Sequence, residues 1–236
     1  MRKPYALLHK ALQSKPHVCI KLLGDSITHG VGGTGFAQNG YAFINGYARN
    51  PEGYCWANKF KKHMEDKFAC SVTNNACTGT TIQFIINNFE TLVDNEDDIV
   101  ICTIGTNNRH LYFKDGSKPT REEYGTQFYN NVIKLYNMFK AHNKEVIFVA
   151  NIPATMQNEQ DGEEYWRILH MNDINAIYKE AAKSMGFPLI SLYDMFTDYC
   201  EVNNVTVDVL LGDGLHPNDQ GYDVMYALIC KALQVE

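Results

Sequence analysis

Four short stretches of this chain carry residue types that can do chemistry together. Gly24 to Gly30 reads G-D-S-I-T-H-G directly after an apolar run. Ser26 therefore stands where a strand turns into a helix, its hydroxyl aimed outward beside unpaired backbone N–H groups. That position suits a nucleophile, although Asp25 and Ser26 are also ordinary helix caps. Near the other end, D-G-L-H-P-N sets Asp213 three residues before His216. A nucleophilic serine needs a base to take its proton, and that base needs an acceptor to hold its tautomer; this loop can supply both. Pro217 fits the start of a helix, a structural role compatible with the chemical one.

Two more stretches offer donors for a developing negative oxygen. In N-N-A-C-T-G-T-T, Gly79 lets the backbone come close to a substrate with its N–H exposed. In G-T-N-N, Asn107 has a side-chain amide to donate. Each is also a common loop, Gly79 as a helix-start glycine and Asn107 as a turn residue bonding its own backbone.

The elements that must position these residues follow from hydrophobic patterning. Strands are expected over Val18–Leu23, Cys70–Asn75, Ile99–Ile104, Glu145–Ala150 and Pro188–Leu192, all short, apolar and bounded by turn-forming residues. Helical periodicity covers Tyr54–Lys67, Thr80–Leu92, Arg121–His142, Glu164–Met185 and Asn218–Leu233. The third of these repeats Phe128, Val132, Leu135, Tyr136 and Phe139 on one face. Alternating strands and helices predict a parallel sheet in a three-layer α/β/α sandwich, whose chemistry collects beyond the carboxyl ends of the strands. The four stretches above lie at such places. No linker or internal repeat divides the chain, so residues 1–236 are expected to form one domain.

Composition narrows the function. The chain has 236 residues, 45% of them hydrophobic, and a formal net charge of -6 with scattered Lys and Arg, which argues against nucleic acid as a partner. Residues 1–17 have no long apolar run, so neither a signal peptide nor a membrane span is expected, and the protein reads as cytoplasmic. Seven Cys at irregular spacing without C-x-x-C read as reduced thiols, with Cys19, Cys102 and Cys230 in the core. H-x-x-H and H-E-x-x-H are absent, so no metal is expected, and the glycines meet neither nucleotide fingerprint.

The four stretches resemble, in order, the blocks of SGNH hydrolases, the GDSL esterase/lipase superfamily: G-D-S with Ser26, N-A-C-T-G with Gly79, G-T-N with Asn107 and D-x-x-H with Asp213 and His216. The resemblance spans most of the chain. It implies a flavodoxin-like sheet of five parallel strands, a Ser26–His216–Asp213 triad, an oxyanion hole from the Ser26 N–H, the Gly79 N–H and the Asn107 side chain, and no cofactor. One departure is Asn108, where the family's third block carries Asp.

The function expected is hydrolysis of short-chain acyl esters through an acyl-enzyme, with O-acetyl on a carbohydrate drawn from the family. The alternatives are a lipase, lysophospholipase or thioesterase, an acyltransferase on the same triad, and a binding module without chemistry, which would have no need of these residues together. Oligomeric state is left open. Asp25, His29 and Arg109 flank the motifs and are the candidate substrate contacts, with a cap, a pocket wall and a solvated loop as their other readings; His110 shares that loop. The glycine- and aromatic-rich stretch Gly30–Tyr54 is either a cover over the site or a packed surface loop, and Pro153–Trp166 is expected to border the cleft. Trp56 and Trp166 are expected to pack in the core or at its rim.

Overall fold

The computed structural model describes residues 2–36, 52–109, 119–160 and 167–236. Five strands, β1 (Val18–Gly24), β2 (Cys70–Asn74), β3 (Ile99–Thr103), β4 (Glu145–Ala150) and β5 (Leu189–Ser191), form an all-parallel sheet in the order β2-β1-β3-β4-β5. The helices are α1 (Pro4–Ser14), α2 (Ser26–His29), α3 (Trp56–Lys67), α4 (Ile82–Asn87), α5 (Phe89–Leu92), α6 (Arg121–Ala141), α7 (Met156–Glu159), α8 (Met171–Met185), α9 (Leu192–Asn203), α10 (Val207–Leu210) and α11 (Asp219–Leu233).

The strands are apolar on both faces because helices cover both. Ile20, Leu22, Ile99, Ile101, Ile147 and Val149 enter a core shared with α1, α3, α9 and α11. Their alternating neighbours Leu23, Val100, Cys102, Val146 and Phe148 enter a second core with α4, α5, α6 and α8. This is the α/β/α sandwich with the flavodoxin-like strand order. Trp56 is fully buried in the first core, Cys102 and Cys230 are buried, and Cys19 is only half-buried, with the Ser71 hydroxyl 3.6 Å from its sulfur. Lys21 is an internal charge that patterning did not flag. It lies buried within β1, with Nζ 2.6 Å from Asp94 and 3.5 Å from Asp97.

Some elements differ from the expected ones. The Thr80–Leu92 helix is two helices, since Asn88 leaves helical geometry and its side-chain amide donates to the Phe84 carbonyl. Helix α8 begins only at Met171, where Asp173 accepts the His170 N–H; residues 161–166 lie outside the described residues, and Trp166 with them. Leu192 opens α9 rather than closing a strand, and α1, α9 and α10 fall outside the expected helices.

The topology places the site. The chain runs outward from β1 to β2 and then crosses back to β3, so the loops after β1 and β3 diverge over a crevice. Gly24 is in register with Thr103, so both loops leave the sheet at the same height. Among the described residues no helix is long and apolar enough to cross a membrane.

Candidate active site

The turn that carries Ser26 is built from its neighbours' constraints. A side chain at Gly24 would meet Thr28 Oγ1 at 2.5 Å and the Thr103 carbonyl at 2.9 Å, so glycine alone lets β1 end this close to α2. Asp25 caps α2, its Oδ1 accepting from the Ile27 N–H at 3.0 Å. The helix stops after one turn at Gly30, with φ of 107°. The buried Tyr222 of α11 sets its hydroxyl 2.7 Å from the Val31 carbonyl and 3.1 Å from that of Ile27, clamping the turn to the helix that follows His216.

The 211–217 loop is closed by a bridge between Leu211 and Pro217 and by a 2.8 Å bond from the Gly212 N–H to the His216 carbonyl. Asp213 Oδ1 accepts from the N–H groups of Leu215 and His216, at 3.0 and 2.7 Å. Its Oδ2 lies 2.7 Å from His216 Nδ1, and His216 Nε2 lies 2.8 Å from Ser26 Oγ. An ionised carboxylate only accepts, so the proton sits on Nδ1 and Nε2 is free to accept from the serine hydroxyl. Burial alone would raise the Asp213 carboxyl, but the bonds from His216 and Leu215 outweigh it and hold the carboxyl below its usual range. The Asp213 side chain is 58% exposed, that of His216 17%.

The second block is tied beside β1 by bonds from the Asn75 N–H to the Leu22 carbonyl and the Cys77 N–H to the Gly24 carbonyl. Gly79 follows with φ of 80°, and a Cβ there would meet nothing within 4 Å. Among the described residues no group accepts its N–H or that of Ser26. Asn107, on a 3-10 turn over Thr106–Arg109, donates one amide hydrogen to the Thr80 carbonyl at 2.9 Å and keeps the other. Asn108 fills the place of the family's Asp as an internal strut: its Oδ1 accepts from the Ile82 N–H at 2.9 Å and its amide donates to Gln83 at 2.7 Å. The second and third loops are thereby joined.

The pattern of the GDSL-like Lipase/Acylhydrolase family matches residues 22–224, which holds all four stretches. The chain belongs to that family. It is an ester-hydrolysing enzyme. Solved structures similar to this GDSL hydrolase include an acetylxylan esterase from Geobacillus stearothermophilus, with a TM-score of 0.65 and 16% identity over 93% of this chain and 95% of that one. Others are a lipase/acylhydrolase from Enterococcus faecalis, at 0.64 and 20% over 92% and 95%, and an alpha/beta hydrolase from the metagenome of Lake Arreo, Spain, at 0.67 and 19% over 92% and 95%. At these identities the likeness shows the fold. No curated protein matches the sequence.

The three candidate substrate contacts of the GDSL hydrolase sit deeper than their sequence positions suggest. Asp25 is fully buried, with the Asn151 amide 3.4 Å from its Oδ2, and burial pushes its carboxyl above the usual range. It is an internal cap rather than a substrate contact. His29 is also buried, its Nδ1 3.1 Å from Thr78 Oγ1 and its ring edge-on to Phe36, which places it in the wall of the site. Arg109 is 0% exposed and held internally rather than solvated: Nη1 donates to Glu159 at 3.0 Å and Nε to the Thr106 carbonyl at 3.1 Å. The reason is long-range, since α7 and the start of α8 pack over it. Pro153–Gln160 does border the triad, because the Thr155 N–H donates to the Gly214 carbonyl at 2.9 Å. His110 and residues 37–51 of the Gly30–Tyr54 stretch lie outside the described residues. Tyr222, Asn151 and Glu159 were not singled out by motif, and nothing local distinguishes them from other residues of α11, of the segment after β4 and of α7.

Proposed function

We propose that this GDSL hydrolase is a serine carboxylic ester hydrolase acting on short acyl groups, O-acetyl on carbohydrate foremost, with residues 1–236 working as one hydrolase domain. The observation that carries the reading is the unbroken hydrogen-bond chain from Ser26 Oγ through His216 to Asp213, at 2.8 and 2.7 Å. In it, Ser26 attacks the ester carbonyl while His216 Nε2 takes its proton. The oxyanion is met by the N–H groups of Ser26 and Gly79 and the free amide hydrogen of Asn107. His216 then gives the proton to the departing alcohol, and a water activated by the same imidazole hydrolyses the acyl-enzyme. Asp213 stays ionised and orients the ring.

Two observations support the short-acyl, carbohydrate part. A groove of about 510 Å³ beside the triad loop is lined by Gln157, Asn158, Arg167 and Asp213 but not by Ser26 or His216, and offers polar contacts to an alcohol that extends past that loop. A neighbour of the same fold is an acetylxylan esterase. An acyltransferase would use the same triad with a sugar hydroxyl in place of water.

The test is hydrolysis of p-nitrophenyl acetate, butyrate and octanoate, and of acetylated xylo-oligosaccharides, by the wild type and Ser26→Ala. Acetate cleaved fastest, release of acetate from the sugar and a dead variant are expected. Preference for octanoate would move the reading to a lipase. Acetyl transfer to added sugar in excess of hydrolysis would move it to an acyltransferase. Full activity in Ser26→Ala would overturn it.

A further inference from the structure

Arg109 is buried at 0% exposure, yet all three of its guanidinium nitrogens are engaged by groups near the site. Its Nε holds the Thr106 carbonyl within the 3-10 turn that carries Asn107. Its Nη1 and Nη2 reach Glu159 Oε2 at 3.0 Å and Asn158 Oδ1 at 3.3 Å at the end of α7. Its own carbonyl accepts from Ile168 and Leu169. Glu159 is equally committed, since its Oε1 accepts the Met171 N–H at the start of α8. At the other end of α7, Thr155 caps the helix and its N–H holds the Gly214 carbonyl, in the loop between Asp213 and His216. Gly214 is itself pressed against Thr155: a Cβ there would lie 2.7 Å from Thr155 Oγ1.

One helix turn therefore spans from the Arg109 guanidinium to the triad loop. A short helix has little stability of its own and takes its position from what grips its ends. Here the grips are a buried, forked guanidinium and one backbone bond to the catalytic loop. Burial lowers the Arg109 pKa to about 10, so the group stays charged at neutral pH and demands its carboxylate partner.

We propose that Arg109 and Glu159 are a pair of positioning residues that set, through α7, the distance between the Asn107 amide and the His216 imidazole. The inference rests on the serine-esterase reading above and adds a residue pair to it. The rigid fork fixes the turn bearing Asn107, and Glu159 fixes α7, whose first residues hold the Asp213–His216 loop. Loosening the pair leaves every reacting group present but spaces them wrongly. A misplacement of about 1 Å costs on the order of 100-fold in rate.

Two variants test this. Glu159→Gln keeps the shape and an acceptor for Met171 but removes the counter-charge. The double variant Arg109→Met with Glu159→Gln also removes the buried cation, so that it folds without an unpaired charge. Expected for both is a fall in kcat of about 10- to 100-fold on p-nitrophenyl acetate with KM within about twofold. Faster hydrogen exchange at the Leu215 and His216 amides should accompany it, while the double variant melts near the wild type. Arg109→Lys, a point charge without the fork, should fall between. If the double variant melts normally and keeps wild-type kcat and exchange rates, the pair is merely structural and the proposal is overturned. Hydrogen exchange reads the loop without catalysis. An active Ser26→Ala would thus sink the esterase reading while unchanged loop exchange in the pair variants would sink only this one.

Discussion

Consider Asp213→Asn. The asparagine carbonyl can still accept from the Leu215 and His216 N–H groups, so the loop should keep its shape. Its amide nitrogen, however, would replace the Oδ2 that lies 2.7 Å from His216 Nδ1, and would donate to the ring. The imidazole must then carry its proton on Nε2, the tautomer that cannot accept from Ser26. The variant also loses the charge that stabilises the imidazolium. At about 4 Å that attraction is about 1 kcal/mol in a water-like medium and about 4 kcal/mol in a partly buried one. With the Asp213 side chain 58% exposed, the lower part of that range applies. The charge alone is then worth about fivefold in rate. In a buried triad the combined loss of tautomer and charge is about 10⁴-fold. Water at an exposed carboxylate can restore part of it, so a fall in kcat/KM of about 100- to 1,000-fold is expected here. The assay is p-nitrophenyl acetate hydrolysis from pH 6 to 9 beside thermal melts. A loss under threefold would refute the role of Asp213. A loss as complete as that of Ser26→Ala at every pH would refute the argument from exposure.

Asn107→Ala should lower kcat by about 100- to 1,000-fold with little change in KM, because the oxyanion exists only in the transition state; a raised KM with intact kcat would place Asn107 on the ground-state substrate instead. Gly79→Ala meets open space but a positive φ, so it should cost about 1–2 kcal/mol in denaturant melts, and an unchanged stability would show that the loop re-forms. Tyr222→Phe removes the one hydroxyl donor shared by the Val31 and Ile27 carbonyls and should destabilise by about 1–3 kcal/mol in urea unfolding, with Ser26 labelling by an organophosphate slowed in parallel. For acid stability, burial alone would raise the Asp194 carboxyl, but Lys179, Ser191 and Asn175 outweigh it and hold it low. Its contribution is therefore present above the ordinary carboxylate pKa of about 4 and lost as pH falls through the lower folded value. Asp194→Asn should flatten that acid limb of the melting curve.

Local periodicity was enough to read most of the frame. β4 matches its expected bounds, the other strands lie within a residue or two of theirs, and α6 and α11 begin and end within a residue of the expected helices. These elements are legible because one buried stripe or face repeats along a continuous segment. Asn88 breaks a helix by a side-chain bond that periodicity does not register, and α9 follows β5 with no intervening turn, so the two run together in the sequence pattern. At the site, the types of Ser26, Gly79, Asn107, Asp213 and His216 point to the proposed chemistry, since few residues can attack, accept a proton or offer an unobstructed N–H.

What only the tertiary structure decided is who meets whom and what is covered. Ser26 and His216 are 190 residues apart in sequence, and it is the fold that brings Nε2 to 2.8 Å from Oγ. Asp25 and Arg109 stand beside catalytic motifs and look available, yet both are buried, because the residues that cover them, Asn151, Glu159 and the start of α8, come from 50 or more positions away. Spacing along a chain encodes the periodicity of one element. Burial and partnership depend on the other elements packed over it, and those are properties of the assembled fold.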